Sequence, residues 1–153
     1  SGNGSMAAPA VPAGPKVGEP APSFALPNLA GKPVNLSDFR GNRTLLLFWN
    51  PGCGFCQRML DDLKDWEVHP PKGAPRLLVV STGTVEANQA PGLRSTIVLD
   101  QNMSVGSKFG ANGTPMAVLV DGQGRIASEL AVGAPAVMTL AGAGKDKSNI
   151  ISV

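Results

Sequence analysis

The sequence is poor in the residue types that mark several common classes of protein. It has no tyrosine, aromatic residues make up 5% of the chain, and charged residues make up only 16%. The 13 basic and 11 acidic side chains give a formal net charge of +2. The chain therefore lacks the dense positive patch of a nucleic-acid-binding protein, and we expect no nucleic-acid partner. No apolar run approaches the roughly 20 residues that a membrane-spanning helix needs.

Cysteine and histidine are also scarce. The two cysteines, Cys53 and Cys56, are too few for a disulfide scaffold in a chain of 153 residues or for a four-cysteine zinc site. With His69, the only histidine, they offer at most three of the nitrogen and sulfur ligands that zinc prefers, so we expect no metal site. Two cysteines at this spacing are sufficient for a redox pair. We therefore expect no cofactor beyond a reversible Cys53–Cys56 disulfide.

The composition that is present fits one folded domain. Hydrophobic residues make up 42% of the chain, which excludes a wholly disordered protein. A chain of 153 residues can bury a sizeable core without covalent cross-links. We expect a monomer.

The two ends of the chain differ in composition from the rest. Residues 1–5 are typical of an expression scar, and residues 6–22 are rich in alanine and proline, which indicates an extended linker. We therefore assign residues 1–16 to scar and linker, 17–143 to a single domain and 144–153 to a tail. The leading residues lack the apolar stretch of a signal peptide. A membrane tether removed from the sequence remains an alternative.

The apolar pattern predicts an α/β fold. Residues 44–50 and 76–82 are continuous apolar runs, typical of strands buried on both faces. Between them, apolar residues recur every three or four positions over 53–68, which predicts an amphipathic helix. This strand–helix–strand unit implies a parallel pair with a right-handed crossover. The other predicted elements are a hairpin (24–26 and 34–36), short helices (37–41, 85–89 and 104–109), a strand (95–99), a second hairpin (116–121 and 125–130) and a last helix (134–143).

The motif that carries chemistry is Cys-Gly-Phe-Cys, at the start of the predicted helix. At the first position, Cys53 meets unpaired backbone N–H groups and the positive end of the helix dipole, and both favour the thiolate. Cys56 lies one turn deeper on the apolar side, at a Cα separation that a disulfide allows. We therefore predict that Cys53 attacks a disulfide and that Cys56 resolves the mixed disulfide.

A second signal precedes the strand predicted at 116–121. Thr114 and Pro115 lie directly before it, and proline can open a strand because it has no N–H group. In the cis form of the Thr114–Pro115 bond, the backbone of Thr114 turns toward the cysteines and can pair with an extended substrate chain. The other candidate substrate contacts are Gly54, Phe55 and Trp49, and a core position is the alternative for Trp49.

These features together resemble the thioredoxin superfamily. A strand–Cys-x-x-Cys–helix unit is followed by Gly-Thr-Pro and a glycine-turned hairpin. Residues 17–24 (VGEPAPSF) and 31–41 (GKPVNLSDFRG) are similar to the TlpA/ResA-like or redoxin branch. The resemblance implies a thioredoxin-like α/β fold with a central mixed β-sheet flanked by helices, an N-terminal β-hairpin extension and a cis proline at Pro115. It also implies an extracytoplasmic thiol–disulfide oxidoreductase that acts on protein thiols or disulfides with a redox partner protein.

The chain departs from that family at several positions. Gly52 directly precedes the first cysteine, where many relatives carry tryptophan. Leu47 and Met59 occupy positions at which relatives carry a buried acid, so the usual proton acceptor for the second cysteine is missing. Asp61 and Asp62 are candidate replacements for this proton acceptor, but their helix positions favour exposure to solvent. The Gly-Phe dipeptide leaves reductase, oxidase and isomerase as alternatives.

Two further functions remain as alternatives. A peroxiredoxin needs a proline and a threonine or serine upstream of its cysteine in a Pro-x-x-x-Thr/Ser-x-x-Cys pattern. Here Pro51 lies two positions before Cys53 and position 50 is Asn50, so that pattern is absent. A thioredoxin-fold binding module without turnover is the other alternative, and the intact cysteine pair argues against it.

Overall fold

The computed structural model describes residues 13–142. The predicted scar at residues 1–5 and the whole predicted tail at residues 144–153 lie outside the described residues. The strands are β1 (Ala25–Pro27), β2 (Pro33–Asn35), β3 (Thr44–Trp49), β4 (Arg76–Ser81), β5 (Thr96–Leu99), β6 (Met116–Val120) and β7 (Ala131–Val132). The helices are α1 (Gly54–Val68), α2 (Val85–Gln89), α3 (Ser104–Lys108) and α4 (Ala134–Leu140), with short 3-10 turns at Leu36–Phe39 and Gln101–Met103.

A five-stranded mixed sheet forms the centre of the molecule, in the order β5-β4-β3-β6-β7. Strands β3, β4 and β5 run parallel, whereas β6 and β7 are antiparallel to their neighbours. Leu47 of β3 lies opposite Val79 on one side and Ala117 on the other. Strands β1 and β2 form a separate antiparallel hairpin. The predicted mixed sheet with flanking helices and an N-terminal hairpin is therefore confirmed.

Strand β3 is buried on both faces because each face packs against a different layer. Leu46 and Phe48 point into a cluster that also holds Phe109 and the side chains of the N-terminal hairpin. Leu45, Leu47 and Trp49 point into a second cluster, formed with α1 and α4. Successive side chains of a strand face opposite ways, so a continuous apolar run is what a central strand requires.

Helix α1 begins and ends close to its predicted bounds. Its buried residues are Cys56, Met59, Leu63 and Trp66, which lie three or four positions apart and form a single apolar stripe. Cys53 is the residue that precedes the first helical residue, with an extended backbone. The helix therefore carries the cysteine pair at its N-terminus and packs against the sheet along its length.

The second predicted hairpin is only partly correct. Strand β6 forms, but residues 125–130 are not a strand: the strand that pairs with β6 is β7, which begins one residue later. Residues 125–130 contact β6 only locally: Ile126 forms a bridge with Val120, the Ala127 N–H donates to the Leu119 carbonyl, and the Leu119 N–H donates to the Ser128 hydroxyl. The Ile126 N–H instead donates to the carbonyl of Glu19, so the N-terminal segment takes a place that a longer strand would have used.

The remaining elements differ from the predictions mainly at their ends. The N-terminal hairpin is displaced by about one residue, residues 36–39 form a 3-10 turn, and α4 stops at Leu140. Within the described part of the chain, none of the helices combines the length and hydropathy that crossing a membrane requires.

Candidate active site

Three segments meet at one edge of the sheet, which we call the active-site edge. The turn at residues 50–53 follows β3 and the loop at residues 82–84 follows β4, its parallel neighbour. Residues 114–115 precede β6, which runs antiparallel to β3, so they reach the same edge. The carboxyl ends of parallel strands are a common place for functional groups in α/β proteins. The cysteines lie at this edge.

The turn that carries the first cysteine is held by its own side chains. The Oδ1 atom of Asn50 accepts a hydrogen bond from the Gly52 N–H at 2.8 Å, and the Asn50 carbonyl accepts one from the Cys53 N–H at 3.0 Å. Gln57, one turn into the helix, donates from Nε2 to the Pro51 carbonyl at 3.1 Å. These bonds fix the direction in which the chain enters α1, so the Cys53 side chain is held at the helix N-terminus.

The Cys53 thiol is half-buried and faces Thr114. Its sulfur lies 3.5 Å from the Thr114 carbonyl oxygen, to which the S–H group donates. The pKa of Cys53 is lowered from its ordinary value of 9.0. The largest cause is a hydrogen bond from the Thr114 side chain, and backbone N–H groups of Cys56 and Phe55 at the helix N-terminus add to it. Cys53 is therefore the more acidic of the two thiols.

The Cys56 thiol has the opposite environment. Its side chain is fully buried in the cluster between the sheet and α1. Burial is the largest cause that raises the pKa of Cys56 from 9.0 to about 11, while contacts with the Asn50 backbone and the Thr114 side chain lower it. Both thiols are free. The same motif therefore holds one thiol that loses its proton readily and one that keeps it.

The Thr114–Pro115 peptide bond is cis, and Pro115 is buried. Thr114 lies between the thiols and the start of β6, where its carbonyl and side chain both contact Cys53. The two segments are 61 positions apart in sequence and meet only because β3 and β6 pair side by side.

The structure exposes two of the other candidate substrate contacts and buries the third. Gly54 is exposed, and the Phe55 ring is 64% exposed, with the Arg58 guanidinium 4.7 Å from its centroid. Trp49 is a correction: its side chain is only 2% exposed and packs in the core, so it does not line a substrate groove. It is the last residue of β3 and points toward α1, not out of the active-site edge. The sequence analysis did not predict the contact between Arg58 and Phe55, although their three-residue spacing places both side chains on one helix face.

The positions that hold an acid in relatives are apolar and buried here. Leu47 and Met59 are at most 2% exposed, and both belong to the cluster that contains Cys56. Asp61 and Asp62 are exposed on the opposite side of α1, as their helix positions predict. The groups that affect the Cys56 pKa include no carboxylate.

Metal-binding side chains are dispersed over the part of the chain that the structure describes. No group of three or more histidine, cysteine, aspartate or glutamate side chains within residues 13–142 is placed to hold a metal ion. His69 lies at the end of α1, exposed, with its Nδ1 atom 3.3 Å from Asp65 Oδ1. It is remote from the cysteines in sequence and on the helix.

A family model described as the AhpC/TSA family matches residues 17–129. The chain belongs to this family. It is 30% identical over 115 residues to the thiol-disulfide oxidoreductase ResA of Geobacillus thermodenitrificans, covering 72% of this chain and 66% of that protein. It is 29% identical over 122 residues to the methylamine utilization protein MauD of Paracoccus denitrificans, covering 74% of this chain and 58% of that protein. The chain thus spans less than two thirds of the length of these two relatives.

A solved structure agrees with the fold. The thioredoxin domain of a thiol-disulfide oxidoreductase from Bacteroides vulgatus is 26% identical, with a TM-score of 0.64, and the match covers 82% of this chain and 95% of that one. The resemblance to the thioredoxin superfamily and its redoxin branch is confirmed. The predicted enzyme class agrees with the names of the first relative and of this structure.

Proposed function

We propose that this AhpC/TSA-family protein is a thiol–disulfide oxidoreductase that exchanges disulfides with protein clients through Cys53 and Cys56. One observation carries the proposal: a half-buried thiol of lowered pKa at the N-terminus of α1, next to a buried thiol whose pKa is about 11. Because the thiolate is the nucleophile in disulfide exchange, this difference assigns the attack to Cys53 and the resolving step to Cys56.

In the first step, the Cys53 thiolate attacks one sulfur of a client disulfide. An S–S bond forms between Cys53 and that sulfur, the client S–S bond breaks, and the second client sulfur leaves as a thiolate. In the next step Cys56 loses its proton and attacks the Cys53 sulfur, which releases the first client sulfur as a thiolate. Two electrons have then passed from the protein dithiol to the client, and Cys53 and Cys56 form a disulfide. The reverse sequence oxidises a client dithiol.

The proton of Cys56 leaves without a carboxylate. The neighbours of this thiol are the Cys53 sulfur, the Asn50 backbone and the Thr114 side chain. The negative charge of the Cys53 thiolate raises the pKa of Cys56. Formation of the mixed disulfide removes that charge, so the resolving thiol becomes easier to deprotonate at that stage. The client thiolate released in the first step, or water, accepts the proton.

We assign client contact to Thr114, Pro115, Gly54 and Phe55. The Thr114 carbonyl is the main-chain acceptor that faces Cys53, so a client main chain can bond to it beside the reacting sulfur. Phe55 offers an exposed apolar ring in the dipeptide between the cysteines.

The test is a trapping experiment with a matched control. Cys56→Ser removes the resolving thiol, so client proteins should accumulate as mixed disulfides that dithiothreitol releases. Cys53→Ser should trap none, and wild-type protein should reduce insulin disulfides with turnover. Trapping by Cys53→Ser instead would reverse the two roles. Binding of clients without insulin reduction would favour the non-catalytic module, and consumption of peroxide by wild type would favour the peroxidase.

The reduction potential of the pair decides the direction of electron flow. A value near −270 mV is typical of a reductant, and one near −120 mV of an oxidant. It is measured by equilibrating the protein with defined ratios of reduced and oxidised glutathione and counting free thiols by alkylation.

We place the protein outside the cytoplasm, on the resemblance to the TlpA/ResA-like branch. A redox-active disulfide persists there without continuous reduction by cytoplasmic thiols. Fractionation of cells that produce the full-length protein should recover it outside the cytoplasm, and recovery with cytoplasmic markers would contradict this assignment.

A further inference from the structure

The loop at residues 82–84 has its backbone held by side chains from two other elements. Asn88 of α2 is only 2% exposed, and its Nδ2 group donates to the carbonyls of Thr82 and Thr84, each at 2.8 Å. Its Oδ1 atom accepts a hydrogen bond from the hydroxyl of buried Ser81. Every hydrogen-bonding atom of this buried amide side chain is therefore committed to the loop or to the strand that leads into it.

The Gly83 carbonyl, which lies between those of Thr82 and Thr84, also accepts a side-chain hydrogen bond. Gln101, in the 3-10 turn after β5, donates from Nε2 to the Gly83 carbonyl at 3.0 Å. Gly83 has a φ of +92°, a conformation that favours glycine. Three consecutive carbonyls of an exposed loop thus each accept a side-chain amide N–H. Loops normally leave such groups to water, so this loop is held in one conformation.

The loop lies directly beside the reactive turn. A Cβ atom placed on Gly83 would lie 3.6 Å from the Cγ atom of Pro51, two residues before Cys53. Because the strand order is β4-β3-β6, the loop after β4 and the Thr114–Pro115 segment before β6 lie on opposite sides of that turn. Gly52 carries no side chain that would cover this side of the turn, and both Gly83 and Thr84 are exposed.

We infer that the loop at residues 82–84 is a second client-binding wall, on the side of Cys53 opposite Thr114. Asn88 and Gln101 are its positioning residues. The inference rests on the proposed function and adds to it a second contact for the protein client, whose chain extends past the reacting sulfur onto this wall. A small disulfide reaches Cys53 without touching the loop. Holding the loop rigid lowers the entropic cost of ordering it when a client binds.

The experiment compares two substrates in each variant. For wild type, Asn88→Ala and Gln101→Ala, kcat/KM is measured for insulin and for hydroxyethyl disulfide. We expect the ratio of the insulin value to the small-disulfide value to fall about threefold to tenfold in both variants, the range that corresponds to losing one or two hydrogen bonds. The loss should lie in KM for insulin. Gln89→Ala, an exposed glutamine of the same helix, is the matched control and should keep the wild-type ratio.

Gln101 is exposed, so its variant tests the inference even where replacing buried Asn88 unfolds the protein. An unchanged ratio in folded Gln101→Ala would overturn the inference, and so would an equal loss for both substrates. In either case wild-type turnover would leave the proposed function standing. Failure of wild type to turn over either disulfide would overturn the proposed function itself, and the inference with it.

Discussion

The two thiols of the motif are separated by a single turn of helix, yet their surroundings oppose each other. Cys53 lies outside the first helical residue, where the N–H groups of Phe55 and Cys56 have no helical partner and stabilise negative charge. Cys56 lies on the buried stripe, where the cost of placing charge in an apolar cluster keeps the proton bound. The Thr114 hydroxyl and the helix N-terminus lower the pKa of Cys53, whereas burial raises the pKa of Cys56, and this difference makes the pair chemically asymmetric.

The Thr114 hydroxyl should control the acidity of Cys53. Thr114→Val keeps the shape of the side chain and removes the hydroxyl that is the largest cause of the lowered pKa. The Cys53 pKa should therefore rise toward 9.0, so alkylation by iodoacetamide should need a higher pH. The midpoint of alkylation rate against pH measures this shift.

Thr139→Val, at an exposed position of α4, is the matched control and should leave that midpoint in place. A midpoint that is the same in Thr114→Val and wild type would assign the low pKa to the helix N-terminus alone.

Burial of Cys56 should make the reduced protein sensitive to alkaline pH. Folding raises the pKa of this thiol from 9.0 to about 11, so the folded state keeps a proton that the unfolded state loses above pH 9. Its contribution to stability is complete below pH 9 and is lost as pH rises toward 11, at a cost of about 2 kcal/mol. Urea denaturation of reduced protein across this range measures the slope.

Cys56→Ala should lose that part of the slope, whereas Cys53→Ser should retain most of it. The absence of tyrosine helps, because no phenol titrates in the same range. Equal slopes in wild type and Cys56→Ala would show that Cys56 is not the group responsible.

At the scale of elements, α1 joins the active-site edge to the far end of the sheet. Its N-terminus carries the cysteines, and near its C-terminus Glu67 binds the segment that leads into β5. The Glu67 carboxylate accepts the N–H groups of Arg94 and Ser95 and the Ser95 hydroxyl. A charged acceptor shared by three donors is among the stronger hydrogen-bonding arrangements on a protein surface.

Glu67→Ala should therefore destabilise the protein by about 2 kcal/mol, since it leaves the N–H groups of residues 94 and 95 without their acceptor. Asp65→Ala removes an exposed carboxylate of the same helix, which lies 3.3 Å from the His69 Nδ1 atom, and should cost well under half as much. The free energy of unfolding in urea measures both. Equal costs would mean that the three hydrogen bonds to Glu67 contribute no more than an exposed ion pair.

The helices and strands with clear periodicity were predictable from sequence, and those defined by long-range pairing were not. The α1 stripe and the apolar run of β3 are visible in the chain because burial dictates their residue types. Residues 125–130 have the composition of a strand, but the Glu19 carbonyl accepts the Ile126 N–H, and the Ser128 hydroxyl accepts the Leu119 N–H of β6. The competition from Glu19 comes from a residue more than 100 positions away in sequence.

At the scale of the whole molecule, the N-terminal segment closes one side of the fold. Gly14 lies so close to the Phe109 carbonyl that a Cβ atom on it would clash with the carbonyl oxygen. Further along, Gly18 and Ala21 donate N–H hydrogen bonds to the carbonyls of Ile126 and Gly124, at 2.8 and 2.9 Å. Residues 13–21 therefore belong to the folded domain, although their composition is that of a linker.

A protein that begins at residue 23 should be less stable than one that begins at residue 13, by about 2 to 4 kcal/mol. The truncation removes two N–H donors and the Glu19 and Gly18 carbonyls, which accept from the Ile126 N–H and the Arg125 side chain. Urea denaturation compares the two lengths directly. Equal stability would show that the segment only covers the surface.

The sequence by itself determined the α/β class, the helix that begins at the cysteine pair, and which cysteine lies on the buried stripe. These follow from local rules, because side-chain periodicity and helix ends are set within a few residues. Only the tertiary structure decided that Trp49 is a core residue, that Thr114 faces the thiols, and that Asn88 and Gln101 hold the loop beside Pro51. Those relations depend on strand order, which brings together segments that no local pattern connects.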